Sequence, residues 1–277
     1  MAENQRDEND LKKMSLGDHL EELRARMILS LAGLFLGLFV CLFFGKYLIA
    51  VLETPYYKAI ASHNSEVVYD SNNAVAVQNK GNGDHYQQQL GLQTRKPAEG
   101  FITYIKICLV FGLLLSSPWI FWQAWAFVSA GLYRHERKFI HFVSPISAIL
   151  FVAGSLFFLF MVAPLAITFF IKFNEHLNLS SFWMFEDYIN MILMLTLVFG
   201  LAFQMPIAIV FAERMGLVSI EMLVKSRRYV IVALTIIAAM ATPPDVISQI
   251  SLFIPMYILF EGGIIACRLL DREKSTP

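Results

Sequence analysis

Residues 229–260 read YVIVALTIIAAMATPPDVISQISLFIPMYILF: two apolar runs, Tyr229 to Ala241 and Val246 to Phe260, parted by Thr242-Pro243-Pro244-Asp245. As helices rising 1.5 Å per residue, the runs would be only about 20 and 23 Å long, against a hydrocarbon layer of about 30 Å. The stretch is therefore either a short hairpin or one kinked span. Adjacent prolines remove two backbone donors and clash with the preceding turn, which favours a break.

Outward from that stretch, four longer runs cross a bilayer more comfortably: Met27 to Gly45, Thr103 to Trp122, Phe142 to Ala163 and Tyr188 to Ala212. Charge placement decides between hairpin and single span. Lys12, Lys13, Arg24 and Arg26 precede the first run; Arg134, Arg137 and Lys138 precede the third; Arg214, Lys225, Arg227 and Arg228 follow the fourth; Arg268, Arg272 and Lys274 lie in the tail. The loop between the third and fourth runs offers only Lys172. Under the positive-inside rule the basic segments share the cytoplasmic side, and the tail joins them only if residues 229–260 turn back. The expectation is an all-α, polytopic membrane protein forming a single membrane domain over residues 1–277. It has six transmembrane helices, about 27–45, 103–122, 142–163, 188–212, 229–241 and 246–260, with the last two short and both termini cytoplasmic.

Composition agrees with that class. Hydrophobic residues make up 57% of the 277 and charged residues 16%, with a mean hydropathy of +0.56, and the apolar residues fall in long runs. Formal net charge is zero, so overall charge points to neither nucleic acid nor an anionic surface. Met1 to Lys13 is polar and acidic, unlike a cleaved signal peptide. Cys41, Cys108 and Cys267 lie in or beside apolar runs, an odd count without metal-ligand spacing. Lys46 to Gly100 is the one long polar loop; its centre, about 62–96, is rich in Asn, Gln and Gly and reads as a flexible external insertion.

Pro118, Pro145, Pro206 and Pro255 each remove a backbone donor within an expected helix; they are either tolerated kinks or the bends of a concave surface. Trp119, Trp122, Trp125 and Trp183 fall near expected span ends, as interfacial anchors do. No Gly-Xaa-Ser-Xaa-Gly, His-Glu-Xaa-Xaa-His or Walker loop occurs, so the sequence argues for no enzyme, no cofactor and no metal. What remains is a set of carboxylates at cytoplasmic helix ends. In His19-Leu20-Glu21-Glu22-Leu23-Arg24-Ala25-Arg26, Glu22 stands four residues before Arg26, a helix-stabilising pair or a recognition site. In Leu132-Tyr133-Arg134-His135-Glu136-Arg137, Glu136 is either a compensating loop acid or a second such carboxylate.

These two motifs, the run Ser117-Pro118 to Gln123-Ala124-Trp125-Ala126-Phe127, and Thr242-Pro243-Pro244-Asp245 with Gln249 and Ile254-Pro255-Met256-Tyr257 occur in order from about Ser15 to Arg268. Together the chain resembles TatC, the multispanning subunit of the twin-arginine protein translocase. The resemblance implies a receptor in the cytoplasmic (inner) membrane, driven by the proton-motive force. It would bind the signal peptides of folded cargo through two consecutive arginines and assemble with TatB-like and TatA-like single-span subunits in an oligomeric complex. Carried over by position, Glu22 and Glu136 face the arginines, with His19, Arg24, Phe127, Leu132, Tyr133 and Arg137 around them. Guanidinium suits such carboxylates because its planar fork meets them bidentately. Thr242, Gln249 and Asp245 match a polar contact with a partner helix, although Asp245, three residues after Thr242, also reads as a capping-box partner. Pro118 and Pro206 are the expected structural kinks.

One position departs from the family pattern. Many relatives carry Phe-Xaa-Xaa-Glu-Xaa-Pro in the fourth span where this chain has Phe203-Gln204-Met205-Pro206, so Gln204 is a neutral amide, a donor and acceptor for a partner or a satisfied buried group. A different class of reading, a small secondary transporter, requires an inverted repeat and a midplane charge. The sequence offers neither: Lys106 and Glu261 lie near span ends, where they are expected to snorkel.

Overall fold

The computed structural model describes residues 16–63, 67–69, 75–77, 92–130, 137–177, 183–241 and 246–274. Helices dominate: α1 (Leu16–His63), α2 (Glu99–Ala130), α3 (Arg137–Phe157), α4 (Ala163–His176), α5 (Phe185–Ala202), α6 (Met205–Arg214), α7 (Ile220–Lys225), α8 (Arg227–Ala241) and α9 (Val246–Lys274). Two three-residue strands, β1 (Val67–Tyr69) and β2 (Val75–Val77), pair antiparallel with Val68 opposite Ala76. They fall inside the expected insertion, whose residues 78–91 lie outside the described ones.

Among the described residues, five stretches are long and apolar enough to cross a membrane: His19–Tyr57, Glu99–Ser129, Phe142–Asn174, Phe185–Arg214 and Gln249–Leu269. Their outward faces carry Phe35, Phe39, Phe43, Ile149 and Met161, apolar side chains that lipid solvates. Helix α8, with 15 residues, is the short one of the last two expected spans.

The last helix is not short, and this corrects the sequence expectation. Helix α9 has 29 residues and passes straight through Glu261, whose charge is compensated. Arg227 Nη2 donates to Glu261 Oε2 at 2.7 Å, and Tyr257 Oη donates to Oε1 at 3.1 Å. Likewise Lys106 does not snorkel alone: its Nζ lies 3.1 Å from Glu186 Oε1 and 3.1 Å from Asn190 Oδ1 on α5. Gln249 Nε2 donates to Thr235 O at 3.2 Å, so α8 and α9 run antiparallel, tied at the start and at the middle of the shorter one.

Helices α1 and α2 pack closely along a face of small residues. A Cβ on Gly112 would sit 2.7 Å from the Leu38 nitrogen, and one on Gly37 would lie 3.3 Å from Ser116 Cβ, so bare glycines let the backbones meet. One turn further along, Cys108 Sγ approaches the Cys41 carbonyl at 3.6 Å; in the opposite direction, Trp119 Nε1 donates to Leu29 O at 3.0 Å. Helices α3 and α5 meet similarly, Gly154 against Phe203 and Gly200 against Phe151. The core proper lies between the far half of α1 and helices α2, α4, α5 and α9, around Leu52, Ile107, Ile167, Tyr188, Phe199 and Leu252.

The prolines behave differently from one another. Pro206 sits in the first turn of α6, after the Phe203–Gln204 turn that interrupts the fourth apolar run. Pro118, Pro145 and Pro255 lie inside uninterrupted helices, as does Pro55, which the sequence reading did not single out. At Pro118 the lost donor is replaced: Ser117 Oγ donates to Leu114 O at 2.7 Å, the carbonyl an ordinary residue 118 would have bonded. A π-helical turn, Phe158–Val162, joins α3 to α4 just before Pro164.

Candidate functional site

At the start of α1 the acidic and basic residues of the first motif meet the end of α2. The antiparallel packing of the two helices brings residues 19–26 beside residues 123–127, nearly a hundred positions away. His19 stacks on Phe127, ring centroids 4.6 Å apart and planes 23° apart, which pins the end of α1 to α2. One turn on, Glu22 and Arg26 form the expected intrahelical pair: Arg26 Nε and Nη2 both donate to Glu22 Oε1, at 2.9 and 2.6 Å. Arg26 Nη1 reaches across to Gln123 Oε1 at 3.5 Å. Glu22 Oε2 is buried and has no hydrogen-bond partner among the described residues.

That oxygen defines what the site can do. A carboxylate oxygen withdrawn from water and left without a donor costs about 1 to 3 kcal/mol, so a donor arriving there recovers that loss. Arg24 points to solvent. Leu132, Tyr133 and Glu136 lie outside the described residues, and Arg137 opens α3. The structure thus brings together His19, Glu22 and Phe127 of the sequence-derived set. It adds Arg26 and Gln123, which sequence reasoning did not assign to recognition. Arg26 was legible as a helix partner of Glu22; Gln123, a polar residue between Trp122 and Trp125 in an apolar run, was the available signal for a facing contact.

The second group of expected polar contacts is divided. Gln204 caps the break before α6, and its Nε2 donates to Ser147 O at 3.0 Å, so the amide is satisfied within this chain. Gln249 is bonded to Thr235. Thr242 and Asp245 lie outside the described residues. Trp119 and Trp125 are more than interfacial anchors: Trp125 Nε1 donates to Ser147 Oγ at 2.8 Å, and both rings tie helices together.

On the opposite side of the molecule a polar cap joins the chain before α2 to the chain before α5. Gln93 bridges Met184, Phe185 N donates to Gln93 O at 2.8 Å, and Arg95 pairs with Asp187 at 3.0 Å. Glu99 reaches back to accept from the backbone nitrogens of Arg95 and Lys96, at 2.7 and 3.1 Å, which satisfies two donors in the turn leading into α2. No group of three or more His, Cys, Asp or Glu side chains able to hold a metal occurs among the described residues.

Comparison with known proteins gives this arrangement a context. The family model "Sec-independent protein translocase protein (TatC)" matches residues 18–255. The Sec-independent protein translocase protein TatC of Desulforapulum autotrophicum is 33% identical over 96% of this chain and 88% of its own length. That of Rickettsia prowazekii is 30% identical over 96% and 97%. A crystal structure of the twin-arginine translocase receptor TatC in DDM superposes with a TM-score of 0.72 at 31% identity, covering 90% of this chain and 98% of that one. A match across nearly the whole chain in sequence and in fold places this multi-pass membrane protein in the TatC family of Sec-independent protein translocase components.

Proposed function

We propose that this chain is the signal-peptide receptor and core subunit of a translocase that exports folded proteins bearing twin-arginine signal peptides, driven by the proton-motive force. It acts by binding rather than by catalysis. The observation that carries the reading is the Glu22 carboxylate at the end of the α1–α2 pair, with one oxygen buried and unpartnered among the described residues. It sits beside the His19–Phe127 stack, in a family with a solved structure described as a twin-arginine translocase receptor.

In this reading Glu22 and Glu136 each meet one substrate arginine, with Arg24, Leu132, Tyr133 and Arg137 lining the same mouth. The chain forms one membrane domain of six spans in the inner membrane, with both termini cytoplasmic and the 62–96 insertion external. The antiparallel α8–α9 pairing supports the sixth span. TatB-like and TatA-like single-span subunits dock near Thr242, Asp245 and Gln249, where the Gln249 amide lies at the α8–α9 seam. No cofactor or metal is required.

The test is signal-peptide binding by the purified protein. Removing one partner of a charge-assisted hydrogen bond costs about 1.5 to 3 kcal/mol, so Glu22→Ala and Glu136→Ala should each weaken binding roughly 10- to 100-fold, with the protein still inserted and abundant. A lysine-pair peptide should bind weakly to the parent and lose much less in either variant. Equal binding of the two-arginine peptide by parent and both variants overturns the assignment.

A further inference from the structure

The carboxylate of Glu22 is shared unequally. Arg26 could have met it side-on, one donor to each oxygen, yet both donors fall on Oε1. Arg26 is held from its far side by Gln123, a residue only 5% exposed, and Oε2 is left buried and unbonded among the described residues. We propose that Arg26 and Gln123 form a clamp that fixes the Glu22 carboxylate and presents Oε2 to one guanidinium of the substrate's arginine pair. Arg26 is then a positioning residue, and the substrate arginine adds to the pair rather than replacing it. This inference rests on the receptor reading above.

Three physical arguments support it. A glutamate on a helix end samples several rotamers, and the two-donor grip on Oε1 removes that freedom before the ligand arrives. Oε2 is buried and has no donor among the described residues, so its interaction with a bound guanidinium replaces no bond that those residues make. The environment also discriminates between cations. A second charge must settle close to the Arg26 guanidinium, and a planar, weakly hydrated guanidinium can lie beside another one, whereas a compact, strongly hydrated ammonium cannot shed its water as readily. The clamp therefore bears on the preference for arginine over lysine as well as on affinity.

A competing arrangement would have Arg26 occupy the substrate's place until displaced. The two differ in sign. The experiment uses the full-length protein in lipid nanodiscs, with a fluorescent two-arginine signal peptide and its lysine-pair counterpart. Arg26→Gln and Gln123→Leu should each weaken two-arginine binding by about three- to tenfold, the value of one ordered side chain, and reduce the arginine-over-lysine ratio. Arg26→Lys, which keeps the charge but loses the fork on Oε1, should fall between parent and Arg26→Gln. Tighter binding in Arg26→Gln would identify Arg26 as a displaced competitor and overturn the clamp; unchanged binding, or equal losses for both peptides, overturns it too. Should Arg26→Gln fail to accumulate, Gln123→Leu on the facing helix carries the test alone. Glu22→Gln separates the two levels: parent-like binding there removes the receptor reading itself, whereas loss there without loss in the clamp variants removes only the clamp.

Discussion

Gln204 on the break before α6 donates to the carbonyl oxygen of Ser147 on α3 at 3.0 Å, while the hydroxyl of the same serine accepts from Trp125 on α2 at 2.8 Å. One residue thus couples three apolar stretches. The acceptor is a carbonyl, so position 204 must donate, which an amide does and an ionised carboxylate cannot. Gln204→Leu should lower the thermal stability of the detergent-solubilised protein by about 1 kcal/mol, within the range for interhelical hydrogen bonds. Gln204→Glu should be no more stable than the leucine variant at neutral pH. A glutamate variant as stable as the parent would mean that the Ser147 bond is not what the amide contributes.

A second prediction concerns the α1–α2 seam that carries the site. A Cβ at Gly112 meets backbone, 2.7 Å from the Leu38 nitrogen and 2.9 Å from its Cα, and backbone cannot swing aside as a side chain can. Gly112→Ala should therefore cost about 1 to 3 kcal/mol by overpacking. Gly100→Ala, where nothing lies within 4 Å, is the control and should be nearly neutral. Melting curves of both variants decide it, and similar melting temperatures would show that the helices part without strain. Because the same seam aligns Arg26 with Gln123, Gly112→Ala should also weaken signal-peptide binding.

The helices were legible in the sequence because lipid demands long apolar runs, and the Glu22–Arg26 pair because four-residue spacing is a local property of a helix. What joins distant runs was not. Gly33, Gly37, Cys41 and Gly45 recur every four residues and mark a close-packing face, yet spacing on one helix does not name its partner, so the contact with Gln123 stayed hidden. Glu261 was read as lying near a span end, where its side chain could snorkel. Its partner Arg227, 34 residues earlier, comes within reach only when α8 folds against α9. Gln204 could be read as a satisfied amide or as a partner contact, and only the packing of α3 against α5 supplied the Ser147 carbonyl.

The insertion can be trimmed, but less than its composition suggests. By composition the polar, coreless sequence runs from about residue 62 to 96, whereas Gln93, Arg95 and Lys96 are bonded to Trp183, Phe185, Asp187 and Glu99. Replacing residues 65–90 by a short Gly/Ser linker should leave membrane integration and export largely intact. A deletion extended through Lys96 should reduce the amount of folded protein, because it removes the cap joining α2 to α5. Quantifying the membrane-inserted protein by immunoblot compares them, and equal loss in both would show that the β1–β2 ribbon is itself needed.

The last prediction is the topology on which the recognition face depends. Arg227 at the start of α8 pairs with Glu261, and Thr235 further along pairs with Gln249 earlier in α9, so the two helices run back on each other. If α8 crosses the bilayer despite its 15 residues, locally thinned lipid or a partner helix must accommodate it. Residues 242–245 and the tail then lie on opposite sides. Single cysteines at Asp245 and Lys274, in a background with Cys41, Cys108 and Cys267 replaced, should label from opposite sides with an impermeant maleimide. Exchanging the charges, Arg227→Glu with Glu261→Arg, should keep that pattern, whereas Glu261→Leu alone should strand Arg227 and lower the yield. Labelling of both cysteines from one side would turn residues 229–260 into a re-entrant or surface hairpin, whereas a cysteine at 245 that stays unlabelled would turn them into a lone kinked span. In the lone-span case the basic tail would move away from the face that carries Glu22.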